Sequence, residues 1–171
     1  WHPVEKGTNP AFLYQQNTLR DALVAATTLD IFNRHADKIV MSNIAQTINV
    51  LQAMILTQDE KMLVTPTGCV YEMYVPHQGG QAVRALVETD GLTFKRGDKE
   101  EKLPLVSGSA SLKGKTLFIT LTNSHAVAPV DVHLHLLGSA TVQGTEARLL
   151  TGEIHTHNTF ERPETLNPQP L

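Results

Sequence analysis

The sequence predicts an α/β segment followed by an all-β segment that forms an antiparallel β-sandwich. In the first part, apolar residues recur at helical spacings around one short apolar run. After Gly80, apolar and polar residues alternate with the two-residue period of half-buried strands. The 171 residues are 41% hydrophobic and 18% charged, which is typical of a globular protein.

Two helices and one strand are predicted in the first part. Asn9-Pro10 is a helix-start pair, and the apolar spacing that follows predicts a helix over residues 11–34. Residues 38–42 are apolar and long enough for one buried strand. Thr65-Pro66 starts a second helix through Tyr74, and Gly79-Gly80 ends the pattern. This order favours parallel α/β packing.

Short strands with turn signals between them predict the β-sandwich of the second part. Residues 81–88 are strand-like, 116–122 and 130–136 alternate, and shorter strands are expected at 140–142 and 147–150. Residues 95–102 are highly charged and are expected to form a solvated loop. The tail 161–171 contains three prolines and predicts an extended strap or a frayed end.

The helix-strand-helix order of the first part is incomplete as a fold, because a single central strand cannot form a sheet. We therefore expect the strand in residues 1–78 to pair with strands that lie outside this segment. The chain also begins Trp1-His2-Pro3, without an initiator Met. Both observations predict a piece of a longer protein.

Composition limits the partners. The formal net charge is −3 and no basic patch stands out, which disfavours nucleic acid. No apolar run approaches the roughly 20 residues that cross a bilayer. Cys69 is alone, so a disulfide within the chain is impossible. Its apolar neighbours favour an inert core residue over a reactive thiol.

Two histidine pairs raise the question of a metal site. His133 and His135 share a strand face, and His155 and His157 repeat the same spacing. Two pairs can converge on zinc, but the usual ligand spacings and a further ligand cluster are missing. We expect polar surface residues, and neither a metal nor a cofactor.

Four strings carry a family resemblance. They are GTNPAFLYQQNTLRDALVAA (7–26), FNRHAD (32–37), NIAQTINVLQA (43–53) and HNTFERP (157–163). In this order they closely resemble the α-L-arabinofuranosidases of glycoside hydrolase family fifty-one. Residues from about 81 to 147 match only in general strand character.

The resemblance implies the last part of a (β/α)8 barrel at residues 1–78 and a β-sandwich at 79–171. Residues 11–34 would be the seventh barrel helix, 38–43 the eighth strand and 66–74 the last helix. The family resembles retaining glycosidases, whose two carboxyl groups sit about 5–5.5 Å apart. The nucleophilic Glu would lie four residues before Trp1 and the acid/base Glu on an earlier strand. No catalytic residue is therefore expected in this chain.

Two residues are candidates for binding the sugar. Gln46 matches the family glutamine that contacts arabinofuranose, at the face where barrel active sites form. The alternative is that Gln46 caps a helix beginning at Thr47. Trp1 matches a tryptophan after the seventh strand and can wall the sugar pocket. The alternatives are a packing residue beneath the site or a frayed terminus.

The predicted function is therefore release of terminal α-L-arabinofuranosyl residues from arabinan or arabinoxylan oligosaccharides by the full-length enzyme. The resemblance also implies a cytoplasmic homo-oligomer, and a sandwich that takes strand material from the start of the full chain. The alternative is a non-catalytic β-sandwich with a carbohydrate-binding or structural role. Sugar-binding modules usually present aromatic side chains, and after Gln81 the only aromatic side chains are Phe94, Phe118 and Phe160.

Overall fold

The computed structural model describes residues 3–11, 13–44, 46–125, 127–138, 141–144 and 146–171. This part of the chain is mostly strands with few helices. The helices are α1 (Leu19–Arg34) and α2 (Pro66–Tyr74), followed by a 3-10 turn at Val75–His77. The strands are β1 (Ile55–Gln58), β2 (Lys61–Val64), β3 (Gln81–Val83), β4 (Gly91–Arg96), β5 (Lys99–Pro104), β6 (Val106–Lys113), β7 (Thr116–Asn123), β8 (Arg148–Leu149) and β9 (Gln169–Pro170).

Helix α1 begins at Leu19, so the predicted start at residue 11 is wrong, whereas the predicted end at Arg34 is confirmed. The Asp21 carboxylate accepts from the Thr18 backbone N–H at 2.8 Å and from the Thr18 hydroxyl at 3.0 Å, which fixes the helix start there. The backbone before Thr18 is not helical and makes other hydrogen bonds. Leu13 has φ 46°, and the Tyr14 carbonyl accepts from the Glu5 N–H at 2.9 Å.

Helix α2 has the predicted bounds. Thr65 is its N-cap, because the Thr65 hydroxyl accepts from the Gly68 N–H at 3.1 Å, and Pro66 occupies the first helical position. Beyond the 3-10 turn, Gly79 adopts φ 70°, which only glycine reaches without strain. Within the described residues, neither helix is long and apolar enough to cross a membrane.

Two apolar clusters hold these elements together. The first joins α1 and α2 and includes Leu29, Val70 and Leu166. The second joins Ala53, Leu56 and Leu63 around the β1–β2 hairpin. The first cluster thus links the start of the chain to its tail.

Two hairpins were not predicted. Strands β1 and β2 pair antiparallel around a polar turn at Asp59, whose φ is 54°. Strands β4 and β5 pair around Gly97-Asp98 and replace the loop predicted at residues 95–102. Most of that hairpin is exposed, so its predicted solvation is confirmed. A two-residue Gly-Asp connection is a hairpin signal that the sequence carried.

Strands β3, β6 and β7 form one antiparallel sheet with β6 in the centre. The register pairs Ser109 with Thr120 and Ala110 with Ile119. The serine and threonine face packs against α1, and Ser109, Ser111 and Thr122 on it are buried, whereas Ile119 and Leu121 on the opposite face are 38% and 44% exposed. The polar side of this sheet is therefore the inner side within the described chain.

Two predicted strands are absent from the described residues, and of the short strand expected at 140–142, residue 140 lies outside the described residues while 141 and 142 form no strand. Residues 38–43 form no strand, and Val40 is 95% exposed. Residues 130–136 form none either, and their alternating side chains are mostly exposed. An extended segment becomes a strand only when a neighbour pairs with its N–H and C=O groups. A complete two-sheet sandwich and a division after residue 78 stay predictions.

The predicted extended strap is confirmed. Strand β9 pairs with β8, and Leu166 is only 2% exposed. Asn158 anchors the strap: its amide donates to the Val64 carbonyl at 2.9 Å, and its side-chain oxygen accepts from the Leu166 N–H at 2.7 Å. The tail is thus docked on the helices, and the predicted strand near residue 149 is confirmed.

Candidate functional site

Gln46 is exposed at the start of a loop, residues 46–53, which we name the Gln46 loop. No helix begins at Thr47, so the alternative that Gln46 caps one is wrong. The Thr47 carbonyl accepts from the Met54 N–H at 3.1 Å and from the Ile55 N–H at 3.0 Å. The loop therefore folds back on itself and leads directly into β1.

The backbone of this loop is unusual. Gln46, Asn49 and Leu51 have φ values of 60°, 62° and 54°. The Val50 N–H donates to the Ile48 carbonyl at 2.8 Å, which makes Asn49 the centre of a three-residue turn with positive φ, a rare and strained form. Such outliers persist only where the surroundings hold them, and they cluster at functional sites.

A neighbouring segment supports the loop from the other side. The Leu51 N–H donates to the Leu13 carbonyl at 3.1 Å, and the Gln52 amide donates to the Gln15 side-chain oxygen at 2.9 Å. Gln52 is 3% exposed, and its own side-chain oxygen has no hydrogen-bond partner among the described residues. The base of the loop is therefore a buried polar interior, which is costly to maintain.

Tyr14 packs at the edge of this interior. A parallel bridge joins its backbone to that of Leu51. Burial raises the pKa of the Tyr14 phenol, and the nearby Glu5 carboxylate raises it further. The phenol therefore stays protonated near neutral pH and can donate a hydrogen bond.

Trp1, the second candidate, lies outside the described residues. The carboxylates near Gln46 in sequence do not form a catalytic pair. Asp59 and Glu60 occupy the hairpin turn, and Glu72 pairs with Arg148 at 3.0 Å on the surface. The absence of a catalytic residue from the whole chain stays a prediction.

Sequence reasoning missed one buried carboxylate, Asp30, on the inner face of α1. It is 0% exposed and accepts hydrogen bonds from five hydroxyls. The donors are Tyr74 at 2.8 Å, Ser107 at 2.8 Å, Ser109 at 3.0 Å, Thr120 at 2.9 Å and Thr122 at 3.3 Å. We call this set the Asp30 cluster. A signal was available, because Asp30 directly follows Leu29 on the apolar face of the helix.

The Asp30 cluster perturbs its neighbours. Burial raises the pKa of Tyr74, and the negative charge of Asp30 raises it further. Burial lowers the pKa of His77, against a smaller opposite effect of Asp30. His77 Nδ1 lies 2.7 Å from the Ser111 hydroxyl oxygen. The cluster ties α1 and the end of α2 to the inner face of the sheet, and the His77–Ser111 contact adds the 3-10 turn. These contacts have the geometry of a structural joint.

The histidines of the last segment have structural contacts. His157 Nε2 lies 2.8 Å from the Gln16 amide nitrogen, across a separation of 141 positions. Across the described ranges, no group of three metal-ligating side chains forms a site.

A surface cavity of about 430 Å³ lies beside His155, His157 and Arg162. A second of about 340 Å³ lies beside Arg34 and Lys102. Among described residues, Gln46 lines neither.

Cys69 is buried, as expected of a core residue. Burial raises the pKa of its thiol, and Glu72 raises it further. The Cys69 side chain faces the Leu166 carbonyl at 3.9 Å. Burial and a raised pKa both disfavour the thiolate, which supports the expectation of an inert core residue.

Comparison with protein families decides the identity of the chain. The family of the α-L-arabinofuranosidase C-terminal domain matches residues 1–171. The chain belongs to this family.

Relatives of this arabinofuranosidase C-terminal domain agree with the assignment. The chain is 36% identical, over its full length, to an intracellular exo-α-L-arabinofuranosidase of Bacteroides ovatus, of which it covers 33%. It also matches the crystal structure of a family fifty-one arabinofuranosidase from Xanthomonas axonopodis pv. citri. That match has 39% identity and a TM-score of 0.84, and it covers 100% of this chain and 34% of the other. The chain thus spans about a third of the length of these relatives.

A more distant structure supports the fold alone. The arabinofuranosidase of Thermotoga maritima, solved as an arabinose complex, is 21% identical with a TM-score of 0.81. It covers 100% of this chain and 36% of the other. The arrangement of helices and strands described above is therefore that of the C-terminal portion of family fifty-one enzymes.

Proposed function

We propose that this chain is the C-terminal portion of a retaining glycoside hydrolase. The whole protein releases terminal α-L-arabinofuranosyl residues from arabinan or arabinoxylan oligosaccharides. The observation that carries the proposal is the family match over residues 1–171. The 39% identity to the Xanthomonas arabinofuranosidase supports it. The Bacteroides relative is named as intracellular, which favours a cytoplasmic enzyme.

In this proposal residues 1–78 are the end of a (β/α)8 barrel and residues 79–171 a sandwich. Residues 38–43 are the eighth barrel strand, and the strands that pair with them belong to preceding polypeptide. The exposure of the apolar Val40 and Met41 side chains supports this, since a parallel barrel buries both faces of its strands. Both catalytic carboxylates then lie in the same preceding polypeptide.

Gln46 binds the sugar in this scheme. Its amide can donate to one hydroxyl and accept from another. Its position directly after residues 38–43 places it at the C-terminal face of the barrel, where such enzymes bind substrate. Its exposed side chain and positive φ fit a residue held ready for a ligand. Trp1 walls the same pocket and excludes water.

The test uses the full-length enzyme and an aryl α-L-arabinofuranoside. Gln46→Ala removes one or two neutral hydrogen bonds, each worth about 0.5–1.5 kcal/mol, so kcat/KM should fall roughly two- to twelvefold per bond. Gln58→Ala is the matched control, because Gln58 is exposed at the end of β1. Unchanged kinetics for Gln46→Ala would reject its role at the sugar.

Retention is tested separately by following the anomeric proton of the first product by NMR. A product that keeps the α configuration supports two carboxylates acting in two steps, whereas the β anomer would overturn the retaining mechanism. No hydrolysis at all by the full-length protein would overturn the proposed activity itself.

The second part of the chain has a structural role in this proposal. The Asp30 cluster supports it, because five hydroxyls and one carboxylate bind α1 to the sheet and its neighbours. We also propose that the whole enzyme is a homo-oligomer. Light scattering of the purified protein would show a monomer if that is wrong.

A further inference from the structure

The Gln46 loop needs an external support to keep its backbone conformation. Three of its non-glycine residues have positive φ, and each such residue costs about 1–3 kcal/mol. Asn49 occupies the centre of the three-residue turn. Asparagine tolerates positive φ better than most residues, but the turn still needs contacts that hold it.

The support comes from the β1–β2 hairpin. The Asn49 amide donates to the Thr57 hydroxyl at 2.8 Å, and the Thr57 backbone N–H donates to the Asn49 side-chain oxygen at 2.7 Å. Both polar atoms of the Asn49 side chain are therefore used by one residue of β1. We call this pair of hydrogen bonds the Asn49–Thr57 clamp.

The clamp also fixes the backbone next to Gln46. The Asn49 N–H donates to the Ile55 carbonyl at 3.0 Å, and the Ile55 N–H donates to the Thr47 carbonyl at 3.0 Å. Thr47 directly follows Gln46 in the chain. Because these bonds join both sides of the turn to the same strand, a movement of Asn49 is transmitted to the backbone that orients Gln46.

We propose that Asn49 is a positioning residue for Gln46, and that Thr57 is its partner in this task. Asn49 does not itself touch the sugar. The clamp holds the strained turn so that the Gln46 amide meets the substrate hydroxyls in one orientation. This inference rests on the proposed role of Gln46 in binding the arabinofuranosyl group.

Two variants of the full-length enzyme remove the clamp in different ways. Asn49→Gly keeps the positive φ without strain and deletes both side-chain hydrogen bonds. Thr57→Val deletes the hydroxyl and keeps the backbone N–H. We expect each to lower kcat/KM roughly two- to twelvefold, and by no more than Gln46→Ala does. Asn49→Asp retains acceptors for both Thr57 donors and should restore most of the activity.

The deciding measurement is a double-mutant cycle. If Asn49 acts through Gln46, Asn49→Gly should change kcat/KM less than about twofold in the Gln46→Ala background. An undiminished effect in that background would overturn the inference while leaving the role of Gln46 intact. No effect of Gln46→Ala by itself would instead overturn the proposed role of Gln46, and this inference with it.

A control separates positioning from general damage to the hairpin. Asp59 also has positive φ, 54°, at the turn of the same hairpin. Asp59→Gly alters that turn without touching the clamp, and it should leave kcat/KM unchanged. Thermal unfolding of every variant accompanies the kinetics. A fall in kcat/KM that tracks the melting temperature alike in both Gln46 backgrounds would show a structural effect only and overturn the proposal.

Discussion

Replacing Asp30 by alanine removes the common acceptor of the Asp30 cluster. The carboxylate is 0% exposed, and its five hydroxyl donors come from α2, β6 and β7. Removing it leaves those hydroxyls without this acceptor in an interface that is buried or partly buried, although the Tyr74 hydroxyl keeps the Ala26 carbonyl at 3.0 Å. The destabilisation should therefore be large for a single substitution.

The magnitude follows from opposing effects. A buried donor left unpaired costs about 1–3 kcal/mol, so five of them set an upper bound of roughly 5–15 kcal/mol. Ser109 and Thr120 already lie 2.8 Å apart and can pair with each other, which reduces the loss. The variant also avoids burying a charge, which offsets several kcal/mol. We expect a net destabilisation of about 3–5 kcal/mol.

The assay is urea unfolding of the full-length protein, followed by a probe within this chain. Asp30→Ala should lower the midpoint without changing the slope. Asp30→Asn keeps an acceptor and should lose less than half as much. Asp37→Ala, at an exposed position after α1, is the surface control. A stability for Asp30→Ala within about 0.5 kcal/mol of the parent, as for a surface change, would refute this account of the cluster.

Two further predictions concern packing and pH. Gly68→Ala should destabilise the protein by more than about 2 kcal/mol, because its Cβ would meet the Met54 carbonyl oxygen. Gly114→Ala, with φ 62° and open space around it, should cost only about 1 kcal/mol. Thermal unfolding measures the stability of both variants, and equal losses of stability would contradict this prediction. Burial lowers the pKa of His77 below its ordinary 6.5, so the unfolded state binds more protons and stability falls as pH drops below about 6.5. His77→Gln should flatten that part of the stability profile, measured by unfolding at pH 5.5 and 7.5, and an unchanged profile would contradict the assignment.

Local signals predicted the elements that local interactions specify. Thr65-Pro66 and Gly79 determine α2, and their effects are readable from neighbouring residues. The start of α1 was not readable in the same way. Asn9-Pro10 and Thr18 both fit a helix start, and the choice depends on the pairing of Tyr14 with Glu5 and with Leu51, which only the fold reveals.

Alternation predicted β7 but not which of its faces is buried. Thr120 and Thr122 face the helix because Asp30 accepts from their hydroxyls, at sequence separations of 90 and 92 positions. A buried acceptor that distant leaves no trace in the local pattern. Residues 38–43 and 130–136 form no strand among the described residues for a related reason, because the pairing partners that a strand needs are long-range features.

The candidate site was only partly predictable. Gln46 came from the family resemblance, and its exposure on a loop agrees with a binding residue without testing it. The support from the β1–β2 hairpin was missed, because the two short segments on either side of Asp59-Glu60 were not recognised as paired strands. The positive φ at Asn49 and Leu51 was also beyond sequence reasoning, because leucine disfavours that conformation.

The docking of the tail on α1 also sets an order of events during synthesis. The N–H groups of Leu19 and Arg20 donate to the carbonyls of Thr156 and Ile154, and Gln16 meets His157 at a separation of 141 positions. While the ribosome is still making the intervening residues, the first turn of α1 lacks these acceptors and its apolar stripe lacks Leu166. The nascent helix therefore keeps part of its apolar face exposed until the last residues leave the ribosome. During that interval it is most accessible to chaperones.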